Sequence, residues 1–254
     1  MEILYTIYFF IFGTILGSFY NVVGYRLPRG ESLIKPRSHC TNCNHVLTPI
    51  ELIPILSFLI QGGKCKNCKQ KISWFYTIFE FLTGLLFALS YIIFGFSIEL
   101  IVALFFVSMA IIIIISDYQT LIIPDEVIIF FSISFIVLDY FRGDINKFIY
   151  YLLSGIAAFI TMYIIKKIGD FWFKKESMGG GDIKLMFVFG LVLGYSMSIL
   201  SIFIGSIVGL PISLIILKKK NTNIVPFGPF LCIGALIIFF LNLNIELLTS
   251  FVLY

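Results

Sequence analysis

Residues 178–184 read Met178-Gly179-Gly180-Gly181-Asp182-Ile183-Lys184, which is three glycines followed by an acid that opens a long apolar run. An ionisable group at the edge of an apolar span is costly to keep there, so it is a functional candidate. Glycines let the backbone adopt conformations closed to other residues and let another chain approach closely. A second acid, Asp117, ends the apolar run 100–116 and precedes Pro124-Asp125. We therefore predict that Asp117 and Asp182 face each other as a catalytic pair.

The composition of the 254-residue chain is that of a membrane protein. Hydrophobic residues make up 59% and charged residues 13%, with a mean hydropathy of +1.04, whereas soluble domains carry roughly 25% charged residues. Several windows reach the length of about 20 apolar residues that a bilayer crossing needs. The sequence therefore predicts an all-α polytopic protein in a lipid bilayer, and its net charge of +4 does not indicate a nucleic-acid partner. Because Met1-Glu2 lacks basic residues, we expect the first apolar run to remain as an anchor.

Hydropathy divides the chain into eight predicted transmembrane helices and one polar region. The apolar run 183–217 is too long for one crossing at about 1.5 Å per residue, so we place a turn at Gly194-Tyr195-Ser196. The predicted spans are 3–23, 75–94, 100–116, 124–140, 148–165, the two parts of 183–217, and about 231–248. The predicted domains are a first helix (1–23), a loop-rich cysteine domain (24–73) and a seven-helix membrane domain (74–254).

The basic residues predict the orientation of these spans. Sixteen of the 18 Lys and Arg residues fall in segments 24–73, 166–184 and 218–220. By the positive-inside rule these segments are cytoplasmic, and both termini lie outside. Asp117 then ends a span that runs inward, and Asp182 begins a span that runs outward. Both acids are therefore expected at the cytoplasmic membrane boundary.

Two neighbouring carboxylates suit acid-base hydrolysis, because one activates water while its protonated partner polarises a carbonyl. The two histidines, His39 and His45, lie in the cysteine domain, which leaves no Ser–His or Cys–His pair near the acids. The alternative is that each acid is a solvated cap at the end of a span. Asp125, directly after Pro124, suits the start of a helix. Glu80, inside a span, has either a packing or hydrogen-bonding role or a substrate contact.

Cys40, Cys43, Cys65 and Cys68 form two CxxC pairs in the polar region. Four thiolates in two such knuckles predict a tetrahedral zinc site, which would fold a segment too small to bury a core of its own. Two disulfides or a redox pair are the alternatives, and a reducing cytoplasm disfavours persistent disulfides. The two histidines are expected beside this site or in solvent, and Cys232 is expected to be an ordinary buried thiol.

As a set, these residues resemble the bacterial type IV prepilin peptidases, which also process the pseudopilins of secretion and competence systems. The resemblance covers essentially the whole chain. Its elements in chain order are Gly17-Ser18-Phe19-Tyr20-Asn21-Val22-Val23 with Arg26-Leu27-Pro28, the paired CxxC motifs, Asp117 with Ile123-Pro124-Asp125, the GxGD element Gly179-Gly180-Gly181-Asp182 continued by Ile183-Lys184-Leu185, and Pro226-Phe227-Gly228-Pro229.

The resemblance implies a GxGD-type aspartic protease of the bacterial inner membrane, with Asp117 and Asp182 as its catalytic pair. Such enzymes cut a prepilin or pseudopilin on the cytoplasmic side, after a glycine that precedes the apolar N-terminal helix. Many of them also methylate the new N-terminal residue with S-adenosylmethionine. That second activity is associated with the region that contains the cysteines.

Four residues near the acids are expected to support the pair: Gly179, Gly181, Asp125 and Lys184. The glycines would admit an extended substrate backbone, and Gly181→Val would then abolish cleavage. The sequence names no site for the methyl donor, because no glycine-rich loop follows a predicted strand. It does not specify an oligomeric state either.

Three other classes of protein share parts of this pattern. A thiol-redox membrane protein also carries CxxC pairs, but it favours the oxidising face rather than the side that the charges predict here. A transporter could relay protons through Asp117 and Asp182, but it needs no zinc domain. An intramembrane protease of the presenilin type shares the GxGD element, although here Ser116 rather than tyrosine precedes the first acid.

Overall fold

Long apolar runs separated by glycine, proline and capping residues fold this chain into helices. A computed structural model describes residues 1–220 and 225–242. The helices are α1 (Glu2–Arg26), α2 (Leu56–Ile60), α3 (Trp74–Phe94), α4 (Ile98–Thr120), α5 (Asp125–Phe141), α6 (Ile145–Phe173), α7 (Gly180–Leu193), α8 (Tyr195–Lys220) and α9 (Gly228–Phe240). Within these residues there is no strand, and two isolated bridges are the only β-type pairing.

The predicted all-α polytopic architecture is confirmed. Eight helices of 13 residues or more lie at the positions of the eight predicted spans. By length and composition, five of them are able to cross a membrane, namely α1, α3, α4, α6 and α8. The others are shorter, with 17 residues in α5, 14 in α7 and 13 in α9. The end of the last predicted span, 243–248, lies outside the described residues.

Local signals explain most helix boundaries. The Ser73 side chain caps α3 by accepting the Phe75 N–H, and Asp144 caps α6 in the same way. The predicted turn between α7 and α8 is present, because Gly194 has a φ of +78° that a residue with a side chain rarely adopts. The helix α6 extends eight residues beyond the predicted end at Ile165 and stops at Phe173. Charged residues that follow an apolar run leave the membrane core without ending the helix, which continues until a left-handed residue, Lys174, terminates it.

The chain divides into two compact units, Met1–Ser116 and Asp117–Tyr254. In the first unit α1 and α3 pack antiparallel through glycines. A Cβ atom at Gly13 would lie 2.8 Å from the Gly84 Cα, and one at Gly84 would lie 2.8 Å from the Phe10 carbonyl oxygen. Small residues at such a crossing let two membrane helices approach closely. The predicted cysteine region between α1 and α3 holds only short elements, the longest being the five-residue α2.

In the second unit the short helix α7 is the central element, in contact with α5, α6, α8 and α9. Nine of its 14 residues are buried, so it is shielded by its neighbours rather than exposed to lipid. Its approach to α6 is very close, because a Cβ at Gly190 would lie 2.5 Å from the Gly155 Cα. Asp182 therefore lies in the first turn of a helix that is packed on several sides.

The substitution Gly84→Val tests the glycine packing of the first unit. A Cβ at this position would lie 2.6 Å from the Thr14 methyl carbon, so α1 and α3 must separate. We expect a loss of about 1–3 kcal/mol in the free energy of unfolding, the usual cost of overpacking. Unfolding in detergent micelles measures it, and Leu85→Val, a substitution on the exposed face of α3, is the matched control. Equal unfolding midpoints for the two variants would show that the close approach of α1 and α3 does not stabilise the protein.

Candidate active site and cysteine cluster

Asp117 lies in the last turn of α4 and is 6% exposed. Its backbone carbonyl accepts the N–H of Leu121, whose φ of +58° turns the chain out of the helix. Its side-chain Oδ2 accepts a hydrogen bond of 3.0 Å from the Gly228 N–H. Gly228 is the first residue of α9, and the N-terminus of a helix carries partial positive charge. The carboxylate of Asp117 therefore points at a group that favours its ionised form.

Asp182 is the third residue of α7 and is 7% exposed. The Ile123 side chain lies between Gly181, the neighbour of Asp182, and Gly228, whose N–H binds Asp117. The structure thus brings the two predicted acids into one site, close enough to interact electrostatically. No hydrogen bond to the Asp182 side chain is present among the described residues. The two acids thus differ, because the side chain of only one of them accepts a backbone N–H.

The glycines next to the acids are sites of close packing. A Cβ at Gly181 would lie 2.7 Å from the Ile123 Cβ, and one at Gly228 would lie 3.1 Å from the Ile123 Cδ1. The Ile123 side chain therefore fits between two glycines, each beside one acid. A Cβ at Gly179 would make only an ordinary contact with Asp182, at 3.6 Å. Gly180 faces open space.

Asp125 and Lys184, the two charged residues predicted to support the acids, form an ion pair. The Lys184 Nζ lies 2.7 Å from Oδ1 and 2.8 Å from Oδ2 of Asp125. This pair connects the first turn of α5 to the second turn of α7. Both side chains are about half exposed, and exposed ion pairs add little to stability. The contact therefore orients two helix ends near the acids without burying charge.

The sequence analysis gave no role to two residues that the structure places at the acids, Gly228 and Cys232. Cys232 lies one helical turn after Gly228 on α9, is 1% exposed, and is within electrostatic range of both carboxylates. Its expected burial is confirmed, and it lies on α9 one turn from the residue that binds Asp117. The sequence signal for these positions is the motif Pro226-Phe227-Gly228-Pro229, because Pro in the first turn marks the start of a helix. The i, i+4 spacing then puts Cys232 on the same helix face as Gly228.

Cys40, Cys43, Cys65 and Cys68 form one cluster in the first unit. Their sulfur atoms all lie within 4.8 Å of one another, with 3.8 Å between Cys40 and Cys68 and 4.0 Å between Cys43 and Cys65. Tetrahedral coordination at a metal–sulfur distance of about 2.3 Å requires sulfurs about 3.8 Å apart. The cluster is therefore able to hold a metal ion.

The two CxxC segments have the same backbone fold. In each one the first cysteine donates its N–H to the residue five positions on, His45 or Gln70, and its carbonyl accepts the N–H four positions on. That fourth residue has a left-handed φ in both segments, +56° at Asn44 and +60° at Lys69. An antiparallel bridge closes each segment, from His39 to Val46 and from Lys64 to Lys71. The cluster is thus built from two copies of one turn.

Polar neighbours organise the cluster. A hydrogen bond with the Asn42 side chain lowers the pKa of the Cys68 thiol to about 6, and the thiolate is the form that binds metals. Hydrogen bonds from the Thr48 N–H and hydroxyl, with a contribution from His45, lower the pKa of Glu51 to about 2. His45 therefore pairs with the Glu51 carboxylate, beside the cluster.

These features define a class: a polytopic helical membrane protein with two buried, interacting carboxylates and a separate four-cysteine cluster. The profile of the type IV leader peptidase family matches residues 104–214, which include both acids. The profile of the bacterial peptidase A24 N-terminal domain matches residues 11–94, which include the cysteines.

Similar curated proteins agree along nearly the whole chain. A prepilin leader peptidase/N-methyltransferase of Bacillus subtilis is 40% identical over 90% of this chain and 91% of that protein. Proteins with the same name from Vibrio cholerae and Legionella pneumophila are each 30% identical, over 94% and 91% of this chain and 98% and 89% of their own lengths. No solved structure gives a match. The chain belongs to the type IV leader peptidase family.

The substitution Gly228→Ala tests the contact to Asp117. The new Cβ would lie 2.8 Å from Oδ2 and displace the carboxylate. We expect peptidase turnover on a type IV leader substrate to fall on the order of 10–100-fold per folded molecule, because displacing a reacting group by about 1 Å costs this much.

The control for this substitution is Gly234→Ala, also on α9, whose Cβ would lie 2.5 Å from the Ser201 carbonyl oxygen. Its new Cβ disturbs the packing of α9 against the α8 backbone and not against either acid. If both variants lose the same activity per folded molecule, the Gly228 contact has no specific role in turnover.

Proposed function

We propose that this chain is a membrane aspartic endopeptidase that removes the leader of type IV prepilins or pseudopilins, cutting after a glycine. We propose in addition that it methylates the new N-terminus with S-adenosylmethionine. The names of the similar proteins support both activities. The observation that carries the peptidase proposal is the burial of Asp117 and Asp182 in one electrostatic site.

The surroundings of the two acids suggest different roles. Two buried carboxylates that repel each other hold one proton between them. Asp117 accepts the Gly228 N–H at the start of α9, and a backbone donor and a helix N-terminus both stabilise a negative charge. The shared proton therefore belongs on Asp182, with Asp117 as the general base and Asp182 as the general acid.

The reaction then follows from these protonation states. Asp117 removes a proton from a water molecule, whose oxygen attacks the scissile carbonyl carbon. Asp182 donates a hydrogen bond to the carbonyl oxygen and stabilises the charge that develops on it. Asp117 next gives its proton to the amide nitrogen, and the C–N bond breaks. The products are a carboxylic acid on the leader and a free amine on the mature chain.

The surface near Asp117 suits an apolar substrate. Leu121 and Ile122 follow α4 directly, and both expose large apolar side chains. A prepilin helix lying in the bilayer would present its cleavage bond beside such residues while its basic leader stays in water. We infer from the 16 basic residues in segments 24–73, 166–184 and 218–220 that this side is cytoplasmic and that both termini lie outside.

We propose zinc as the metal of the cysteine cluster, because four thiolates at tetrahedral spacing are its preferred structural site. Cys40, Cys43, Cys65 and Cys68 would hold it and link the two turns of the cysteine domain. The domain has little core of its own, so the metal would supply much of its folding energy. In this proposal residues 24–73 form the zinc domain and residues 74–254 the peptidase domain.

Metal analysis tests the zinc proposal. Purified protein is expected to contain one zinc per chain, and Cys43→Ser is expected to lower that content several-fold. Cys232→Ser, which removes a cysteine outside the cluster, should retain it. Chelation should make the domain sensitive to trypsin at exposed lysines such as Lys64 and Lys71. A wild-type chain free of zinc, or equal zinc in the two variants, would contradict the proposal.

The catalytic assignment is tested by co-expressing a prepilin with wild type, Asp117→Asn or Asp182→Asn at matched protein levels. These changes remove the acid with little change in volume, so both variants should lose cleavage by at least about 10²-fold, the usual contribution of acid-base catalysis. Glu126→Gln, at an exposed acid in the first turn of α5, is the control and should cut normally. Near-normal cleavage by either aspartate variant would exclude it from the pair.

A further inference from the structure

Glu80 is a buried carboxylate that the proposed peptidase reaction does not use. It lies on α3, in the first unit, and is 9% exposed. Its Oε2 accepts a hydrogen bond of 2.8 Å from the Ile55 N–H, and the side chain of Ser18 on α1 lies beside it. Burial of a charged carboxylate is costly unless the charge is paired. No cation pairs with Glu80 among the described residues, so a charge on Glu80 has no cationic partner there.

The backbone that contacts Glu80 is strained. Ile55 has a φ of +61° and a ψ of −54°, a conformation that a β-branched residue almost never adopts. Strained residues of this kind collect at functional sites, where the surrounding structure holds them in place. The Ile55 N–H uses one of about four acceptor positions of a carboxylate. Glu80 therefore keeps capacity to accept further hydrogen bonds.

A buried acceptor that receives no hydrogen bond lies on α1, in a side chain that contacts α3 about one helical turn from Glu80. Asn21 on α1 is 5% exposed, and its Nδ2 donates to the carbonyl oxygens of Gly17 and Tyr76, each at 3.1 Å. Its Oδ1 is fully buried and accepts no hydrogen bond. Tyr76 is one turn before Glu80 on α3, so the Asn21 amide contacts the α3 backbone one helical turn from Glu80.

Glu80 and Asn21 form a second polar cluster, and its chemistry specifies the ligand that it would bind. It offers a carboxylate and an amide oxygen as acceptors, and a bound cation would keep the carboxylate ionised, so its complement is a cation with several donors and no acceptor. A primary ammonium has these properties. The charged and titratable groups at this end of the helix pair include Tyr76, with Tyr25 and Arg29 acting on it, and Arg26, whose Nη1 donates to the Ser32 carbonyl oxygen. None of these four acts on Glu80.

We propose that Glu80, Asn21 and Ser18 bind the α-amino group that cleavage frees on the mature pilin, and that Glu80 is the base for its methylation. This inference rests on the proposed function, which supplies both the amine and a sulfonium methyl donor. The ammonium transfers a proton to the Glu80 carboxylate. The nitrogen lone pair then attacks the methyl carbon, and the C–S bond breaks with its electrons passing to sulfur. The products are a secondary ammonium and a neutral thioether.

Binding tests the amine site without any reaction. The ligand is a synthetic peptide with the N-terminal sequence of a mature pilin, with a free or an acetylated α-amine, titrated against full-length enzyme in nanodiscs without methyl donor. Wild type should bind the free amine at least tenfold more tightly than the acetylated peptide. Glu80→Gln should reduce this preference to about twofold or less, because the neutral amide still accepts the Ile55 N–H but no longer attracts a cation. Equal affinity of wild type for the two peptides would overturn the proposal.

The rate at which the enzyme methylates the same pre-cleaved peptide, measured by mass spectrometry, tests whether Glu80 is the base. Glu80→Gln should lower the initial rate on the order of 10²-fold near neutral pH, as loss of a general base does. Part of the rate should return above the α-amine pKa of about 8, where the amine is already neutral. Glu31→Gln, at an exposed acid of the same unit, should methylate at the wild-type rate.

Measurements of prepilin cleavage and zinc content distinguish a role of Glu80 in amine binding and methylation from a purely structural role. Glu80→Gln should still cut a prepilin and hold zinc as wild type does. If it loses cleavage, zinc and methylation together, with no recovery at high pH, Glu80 only holds Ile55 in place and the proposal fails. If wild type binds and methylates the pre-cleaved peptide but does not cut a prepilin, the proposed peptidase function fails and the amine site stands.

Discussion

The main physical constraint on the second unit is the burial of two carboxylates that repel each other, Asp117 and Asp182, at the ends of packed helices. Such an arrangement is unfavourable unless polar groups compensate for it. The compensation here is the N-terminus of α9, whose Gly228 N–H reaches Asp117. In the proposed reaction the remaining repulsion favours one shared proton, so that one acid acts as base while the other acts as acid.

Glycine sets the distances that this site requires. At Gly181 and Gly228 a single added carbon would overlap Ile123 or Asp117, so these residues fix how closely the α4–α5 turn meets α7 and α9. The interpretation from sequence was that the glycines admit a substrate backbone. In the structure the Ile123 side chain occupies the space beside Gly181. Of the three glycines before Asp182, Gly180 is the one that faces open space.

Hydropathy and motif order were sufficient to predict the eight helices, the turn at Gly194, the cysteine cluster and the proximity of the two acids. These features depend on local sequence or on topology. The extension of α6 to Phe173 was not predicted, because charge was taken as the end of a helix rather than as the end of its apolar part. The contacts of Gly228 and Ile123 were not predictable in the same way. They arise where the turn between α4 and α5 packs against the starts of α7 and α9, and such packing leaves no period in a single sequence.

The most direct test of the acid pair is the cleavage rate of a prepilin peptide by purified Asp117→Asn, Asp182→Asn and the double variant. Two groups that act as one unit give strongly non-additive losses. We therefore expect the double variant to be about as slow as either single variant, with unchanged unfolding midpoints. If the losses multiply in the double variant, or if one single variant keeps near-normal turnover, the two aspartates do not form a catalytic pair.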